Sequence, residues 1–314
     1  MTLNPKTHKS YAEQIERLQE RGMEISDLVF AQETLREYGY YKFSGYFYPF
    51  RKVAPTSTRE HFLRLDDFIN GVRFEHIVDL IKFDDKLRSL IFQGSSCFEV
   101  SLRAKVAYIL GEQSPNFHLD EKFLHPKTTK DEYQTWKSKY AKDIRQAKNQ
   151  EFVRHHKVKY DGNLPIWVAV EVMQFGTLNT LISNLRDNDK QKIAEAFGIQ
   201  SRTLFEGIVD NLRVLRNDCV HHNRLWNSSI SRDLILRQEH LMDAKLFHLS
   251  NSPKGKIYIR LVLLSYVIQQ SISASTFKSD LRAHIESFPR VPKLMPEADM
   301  GFPVNWQTLE FWNS

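Results

Sequence analysis

A short stretch around residue 216 holds side chains that could cleave a phosphodiester without a metal ion. Arg216 is followed directly by Asn217, and His221 and His222 come five and six positions later. Histidine exchanges protons near neutral pH, and arginine stabilises negative charge on phosphate oxygens. These residue types can therefore move a proton and stabilise the transition state of RNA cleavage. The Arg-x4-His spacing alone is a weak signal, because about one chance occurrence is expected in a chain of this length.

The residues around Arg216 predict a helix, over about 201–223, that presents these side chains on one side. Four apolar residues recur at spacings of four, three and four, which indicates a buried stripe. They are Ile208, Leu212, Leu215 and Cys219. Arg213, Asn217 and His221 share another face, and Arg224 returns to that face one turn later.

The candidate catalytic residues are Arg216, Asn217 and His221. In this hypothesis His221 moves the proton, Arg216 stabilises charge on the phosphate, and Asn217 orients His221 or the helix packing. His222 is expected nearer the buried side and is therefore given a supporting role. The alternative is an ordinary helix end, where His and Arg side chains interact favourably with the helix dipole.

Positive charge is concentrated in one segment of the chain. The net charge of the whole chain is +6, but residues 122–159 hold 11 Lys or Arg against 4 Asp or Glu, a local charge of +7. Such a segment is typical of a surface that binds a polyanion, although a solvated helix pair with no partner fits equally well. Lys157 and Lys159 are the candidate phosphate contacts in this segment.

Composition and cysteine content restrict the class of protein. The chain is 41% hydrophobic and 26% charged, as in globular proteins that are not embedded in a membrane. Its two cysteines, Cys97 and Cys219, do not have the spacing of a zinc site or a disulfide framework. The first residues contain no apolar leader and no apolar run could span a membrane. We therefore expect a cytoplasmic protein with no membrane contact, no metal and no cofactor.

Helical periodicity dominates, and no segment shows a convincing alternation of apolar and polar residues. Helices are predicted over 10–22, 26–38, 75–110, 130–150, 177–186, 188–197, 201–223, 256–273 and 275–287, with a break or kink expected at Gly94. The fold class is therefore all-α. We expect an N-terminal helical extension over residues 1–74 with an aromatic motif. A helical domain over residues 75–314 follows, with the basic insertion 122–160 and C-terminal helices.

The sequence around the motif, RNDCVHHNRLWN over 216–227, resembles the signature of the Abi-like abortive-infection family (the AbiD/AbiF group), within the HEPN superfamily. Further stretches resemble other motifs of this family in the expected order. They are YYKFSGYFYPFR (40–51), FDDKLR (83–88) with Glu99 and Arg103, PIWVAVE (165–171), FGTL (175–178) and MGFPVNW (300–306).

This resemblance implies a HEPN-type helical bundle and a role in anti-phage defence. Members with an intact Arg-x4–6-His motif are commonly metal-independent endoribonucleases that act as homodimers with the two motifs facing each other. Similar proteins are associated with small non-coding RNAs. The resemblance also implies that Glu99 and Arg103 lie near the motif, although an i, i+4 salt bridge alone explains their spacing.

Two functions stay open at this point. The first is an infection-triggered endoribonuclease that cleaves RNA through Arg216 and His221, or the same enzyme held silent by a partner, as in a toxin–antitoxin pair. The second is a non-catalytic RNA-binding protein that holds a non-coding RNA. Arg213, His222 and Arg224 are candidate RNA contacts in both. The aromatic residues between 38 and 50 could stack on unpaired bases, but such density more often indicates a packed core.

Overall fold

The computed structural model describes residues 7–58, 63–230, 232, 234–241, 243–272, 274–291 and 296–314. These residues are mainly α-helical, which confirms the predicted all-α class. Residues 1–6, where no apolar leader was found, and residues 292–295 of the C-terminal tail lie outside the described part of the chain.

Helices follow one another along most of the chain and are numbered from the N-terminus. They are α1 (Tyr11–Glu20), α2 (Leu28–Tyr38), α3 (Tyr40–Phe47), α4 (Phe74–Gly111), α5 (Lys130–Gln146), α6 (Glu151–Lys159), α7 (Ile166–Val172), α8 (Phe175–Asn184), α9 (Asp187–Glu195), α10 (Arg202–Val220), α11 (Tyr258–Ser271), α12 (Phe277–Glu286), α13 (Pro296–Met300) and α14 (Glu310–Asn313). Short 3₁₀ turns lie at Tyr48–Phe50, Phe117–Leu119, Glu121–Phe123, Gln238–His240, Ala244–Asn251 and Trp306–Thr308.

A small sheet, which the sequence pattern did not predict, joins α3 to α4. Strand β1 (Arg51–Val53) pairs antiparallel with β2 (Arg64–Phe68), and Arg51 stands opposite Phe68. Both strands are short, and most of their residues are at least partly exposed. The alternating apolar pattern that indicates a half-buried strand is therefore absent, which is why the sequence did not reveal these strands.

The described residues belong to two compact units. The first lies within Met1–Leu87 and Ala283–Pro296, and the second lies within Arg88–Arg282 and Glu297–Ser314. The division between residues 74 and 75 that the sequence suggested stays a prediction.

The N-terminal unit is built around the aromatic motif. Phe43 stacks on Phe74 with ring centroids 4.5 Å apart, and the Phe47 ring packs edge-on against Phe68 at 5.2 Å. The buried Tyr46 hydroxyl donates to an Asp84 carboxylate oxygen at 2.6 Å. Four of the seven aromatic rings of the motif are therefore core, because they are almost wholly buried.

The second unit is organised around helix α11, in which every residue from 258 to 268 is buried. Helix α4 continues through Gly94 without the break expected there. A side chain at Gly94 would meet the Phe277 ring, because a Cβ atom would lie 2.5 Å from Phe277 Cε2. Glycine at this position thus allows Phe277, the first residue of α12, to pack against α4.

Candidate active site

Helix α10 carries the Arg-x4-His motif, and its sequence explains its position. The Ser201 hydroxyl accepts from the Leu204 amide at 3.3 Å and caps the first turn. The predicted apolar stripe of Ile208, Leu212, Leu215 and Cys219 is buried. The helix is therefore fixed by its apolar side, and the remaining positions can present polar groups.

The helix ends at Val220, three residues earlier than the periodicity predicted. The His222 amide donates to the Cys219 carbonyl at 3.2 Å, and the Asn223 amide donates to the Asp218 carbonyl at 2.9 Å. His222 has a φ of 56°, in the left-handed region. These features define a Schellman cap, in which glycine is the usual residue at the left-handed position. In this helix a histidine occupies it.

Arg216 lies beside a charged pair on helix α4. Its Nε is 3.9 Å from a Glu99 carboxylate oxygen, and its Nη1 donates to the Asn217 side-chain oxygen at 3.3 Å. Arg103 forms an ion pair with Glu99 and also donates to the Val170 carbonyl. Glu99 thus stands between two arginines, one paired with it on α4 and the other on the motif helix.

The guanidinium of Arg216 is only partly constrained. Its Nε is buried near Glu99 and makes no hydrogen bond within the described part of the chain, but the side chain as a whole is 33% exposed. Glu99 therefore orients this guanidinium by charge, and the exposed part of the guanidinium can contact a phosphate oxygen. His221 and His222 are both exposed one turn further on.

One placement predicted from the helical spacing is wrong. His222 is exposed rather than turned toward the core, because the helix ends before it. Arg213 bonds to Asp210 at 2.8 Å, and Arg224 stands after the helix, with its guanidinium 6.0 Å from the Trp226 ring centroid. The motif side chains are thus divided between the helix and the loop that follows.

The loop after α10 is held by several hydrogen bonds. Arg88 donates to the Asn223 carbonyl at 3.2 Å, and Lys256 donates to the Asn227 side chain at 3.1 Å. The Trp226 ring is fully buried. Together these contacts fix where His221 and His222 emerge.

Arg260 is a structural residue that the sequence pattern did not reveal as important. It is buried at 1% exposure on α11 and donates to the Asn211 side chain of α10 at 3.1 Å, to the Lys256 carbonyl at 3.0 Å and to the Arg232 carbonyl at 2.7 Å. One side chain therefore joins the motif helix to two loops. The sequence signal that could have indicated this buried role is a lone arginine directly before the apolar run LVLLSYVI.

A family model described as Abi-like protein matches residues 33–227, which is more than half of the 314 residues. The chain belongs to the Abi-like family. Comparison with curated proteins and with solved structures gives no significant match.

The match of this Abi-like protein runs from within α2 to the residue after Trp226. It therefore includes Arg216, Asn217 and His221 together with Glu99 and Arg103. The Abi-like segment thus contains both the motif helix and the part of α4 that lies beside it.

The basic insertion of the Abi-like protein forms helices α5 and α6. Lys157 and Lys159 are exposed on α6 and make no ion pair among the described residues. Lys139 and Lys142 of α5 instead line a groove of about 460 Å³ together with Arg213 and Arg232. The basic insertion therefore reaches the motif helix through α5.

Asp210 holds the arginines of this groove. It accepts from Arg213 at 2.8 Å and from Arg232 at 2.5 Å. Burial acts to raise the pKa of the Asp210 carboxyl, but the hydrogen bonds from Arg232 and Arg213 outweigh it and lower the pKa. The ionised carboxylate therefore holds the guanidinium groups of Arg213 and Arg232 along one wall of the groove.

Among the residues that the structure describes, no three His, Cys, Asp or Glu side chains are grouped to hold a metal ion. Over the same residues, no helix combines the length and apolar character needed to cross a bilayer. The cytoplasmic location stays a prediction.

Proposed function

We propose that this protein is a HEPN-type endoribonuclease that acts in abortive infection and cleaves RNA without a metal ion. The observation that carries this proposal is an exposed His221 one helical turn from Arg216, whose partly exposed guanidinium lies beside Glu99. Five residues of helix separate the two by about 7.5 Å along the axis, which is within reach of one RNA phosphate and its sugar.

In the reaction, the ribose 2′-oxygen attacks the adjacent phosphorus and the bond from phosphorus to the 5′-oxygen breaks. One histidine accepts the proton from the 2′-hydroxyl, and a second group donates a proton to the departing 5′-oxygen. The products are a 2′,3′-cyclic phosphate and a 5′-hydroxyl. His221 takes the first role because it is an exposed imidazole at the motif.

Arg216 stabilises the charge that develops on the phosphate oxygens. Glu99, held by Arg103, positions the guanidinium, and Asn217 bonds to it from the next position on the helix. Substitution of Glu99 therefore acts through the orientation of Arg216.

A second copy of the chain supplies the second histidine. Near Glu99, helices α4 and α10 carry apolar side chains that a monomer would leave in water. Val100 and Phe92 of α4 are 66% and 42% exposed, and Val220 at the end of α10 is 44% exposed. Exposed apolar surface near an incomplete site supports a homodimer in which two motifs face each other.

The RNA strand has a basic surface on which to lie. The groove of Lys139, Lys142 and Arg213 begins on the motif helix itself. His222 and Arg224 flank the cleavage site in the following loop, and Lys157 and Lys159 extend the positive surface along α6. These residues are proposed RNA contacts, and the bound RNA is either the substrate or a non-coding partner.

Cleavage of labelled RNA by the purified full-length chain tests the nuclease. We expect the wild type to cut in the presence of EDTA and to leave cyclic phosphate ends, and we expect Arg216→Ala to lose about 100-fold or more in rate. Arg202→Ala is the matched control, because Arg202 lies at the opposite end of α10 and pairs with Asp187 at 2.8 Å.

The same assay distinguishes the alternative function. Tight RNA binding with no cleavage by the wild type would contradict the nuclease and support a protein that holds a non-coding RNA. Cleavage that requires magnesium, or that survives in Arg216→Ala, would also contradict the mechanism.

The homodimer has its own test, which uses one exposed valine. Val100→Glu places a charge on this exposed apolar surface, and we expect a monomer by analytical ultracentrifugation and at least a tenfold lower cleavage rate. Val29→Glu is the control, since Val29 is 68% exposed on α2, outside the proposed RNA contacts. A Val100→Glu protein that remains dimeric and active would exclude α4 as the interface.

A further inference from the structure

A second candidate binding site lies wholly within the N-terminal unit. Helices α1 and α3 and the strands β1 and β2 enclose a cavity of about 410 Å³, a volume that suits a small ligand. Its lining residues come from three stretches of chain, within 7–21, within 40–51 and at position 66. They are Thr7, Lys9, Gln14, Arg17, Arg21, Tyr40, Tyr41, Ser44, Phe47, Tyr48, Arg51 and Asp66.

The charge of this cavity favours an anion. Four cationic side chains line it against one carboxylate, Asp66, and that carboxylate already pairs with Arg21 and with Arg51 at 3.1 Å. Lys9 and Arg17 make no ion pair within the described part of the chain. Lys9 and Arg17 also line a neighbouring groove that holds the acidic residues of α1. Neither cation forms an ion pair there among the described residues, so both can contact an anion in this cavity.

The aromatic ring of Tyr41 also lines this cavity. Tyr41 is 92% exposed, and its ring makes no aromatic or cation–π contact with the described residues. Tyr48, by contrast, has the guanidinium groups of Arg51 and Arg64 each 5.8 Å from its ring centroid. The Tyr41 ring is therefore the one that a planar ligand can cover.

Two buried polar atoms of the lining residues have no partner. Gln14 Oε1 accepts no hydrogen bond and Arg51 Nε donates none among the described residues, although the Gln14 amide donates to the Lys9 carbonyl at 2.8 Å. Buried polar atoms are rarely left unsatisfied in native proteins. An acceptor and a donor without partners beside one cavity indicate a polar ligand that supplies both.

We propose that this cavity binds one nucleoside phosphate, with the base stacked on Tyr41 and the phosphate held by Arg17 and Lys9. A nucleotide combines a flat aromatic ring, an anion and hydroxyl or amino donors for Gln14, which are the three properties that the lining requires. The nucleotide is either free or an unpaired unit of an RNA strand. The site is independent of the proposed nuclease activity, because all its residues precede α4.

Calorimetric titration of the full-length protein with AMP, GMP, CMP and UMP tests this site. A short single-stranded RNA, titrated into the His221→Ala protein so that it is not cut, is the second arm. We expect Tyr41→Ala and Arg17→Gln each to raise the Kd about tenfold, since stacking and charge contact contribute separately. Tyr41→Phe and Arg36→Gln are the controls, because the first keeps the ring and the second removes an exposed arginine outside the cavity.

The two arms identify the source of the nucleotide. Binding of mononucleotides supports a free ligand, and binding of the oligonucleotide alone supports an RNA unit, provided that Tyr41 and Arg17 are required in either case. Absence of binding in both arms would overturn the proposal. It would also fail if Tyr41→Ala and Arg17→Gln bound as tightly as Arg36→Gln, or if inorganic phosphate bound as tightly as AMP. Because His221→Ala keeps this cavity intact, failure of the nuclease would leave the result interpretable.

Discussion

Two histidine-containing regions of the second unit use the same residue type in opposite ways. His118 is fully buried, and its ring lies edge-on to Tyr140 with centroids 5.3 Å apart and to Trp136 at 6.3 Å. Neither of its ring nitrogens has a hydrogen-bond partner among the described residues. At the end of α10, His221 and His222 stand exposed next to a charged pair.

The difference shows that surroundings, and not residue type, decide what a histidine does. Burial lowers the pKa of His118 to about 4, so its ring is neutral and packs as an aromatic group. The Tyr133 hydroxyl above it donates to the His118 carbonyl at 3.2 Å, and burial raises the pKa of Tyr133 to about 12. Of these two regions, only the one after α10 holds histidines that can exchange protons with a substrate.

The largest effect expected from this comparison is on catalysis. His221→Ala should lower the RNA cleavage rate by at least about 100-fold, because general acid–base catalysis contributes on that scale. The unfolding temperature should be unchanged, since the His221 side chain is exposed. Rates from labelled RNA and thermal unfolding by circular dichroism measure the two quantities.

His118→Phe is the reciprocal variant, and we expect it to cleave RNA at the wild-type rate. A His118→Phe protein that folds but no longer cuts, or a fully active His221→Ala protein, would reverse the assignment of the two regions.

The next effect is on stability in acid. The folded state holds the pKa of His118 at about 4, below the ordinary value near 6.5, so the unfolded chain binds the proton more readily. Stability is therefore complete above pH 6.5 and is lost as the pH falls toward 4. At pH 5 the loss amounts to about 2 kcal/mol.

Urea unfolding at pH 7.5 and pH 5 measures this loss, and His118→Phe should remove it. The same substitution should also stabilise the protein at pH 7.5, because two buried nitrogen atoms without partners are eliminated. An equal loss on acidification in the wild type and in His118→Phe would show that other groups cause it.

The smallest effect concerns the backbone at His222. His222→Gly should raise the free energy of unfolding by about 1 kcal/mol, because glycine adopts the left-handed conformation of the helix cap without a steric penalty. If the His222 side chain contacts RNA, the same variant will cleave more slowly. Urea unfolding and cleavage assays together test this exchange of stability for function.

His222→Ala separates the two contributions, because it removes the imidazole and keeps the steric penalty. We expect it to cleave as slowly as His222→Gly without the gain in stability. A less stable His222→Gly protein would show that the cap does not strain the histidine.

The sequence predicted the helices well wherever an apolar stripe was continuous. The stripe on α10 and the cap of α1, where Ser10 and Glu13 form a capping box, both follow from local residue types. The end of α10 was placed three residues too late, because no glycine or proline marks it and a histidine adopts the cap conformation. A break or kink was expected at Gly94, but α4 is continuous there. The glycine makes room for the Phe277 ring, a long-range contact that the local sequence does not reveal.

The site was predictable in part. Spacing along α10 identified Arg216, Asn217 and His221, but the approach of Glu99 is a long-range contact that spacing cannot reveal. The groove formed with α5 and the role of Arg260 likewise depend on which helices become neighbours. The aromatic motif was expected as core, and burial now separates the core rings from the exposed Tyr41.

The buried guanidinium of Arg260 has a consequence for motion. Because it holds Asn211 of α10 and the carbonyls of Arg232 and Lys256 at once, release of either loop also breaks its bond to the helix. The motif helix and these loops should then open as one cooperative unit, with a shared amide exchange rate in native-state hydrogen exchange.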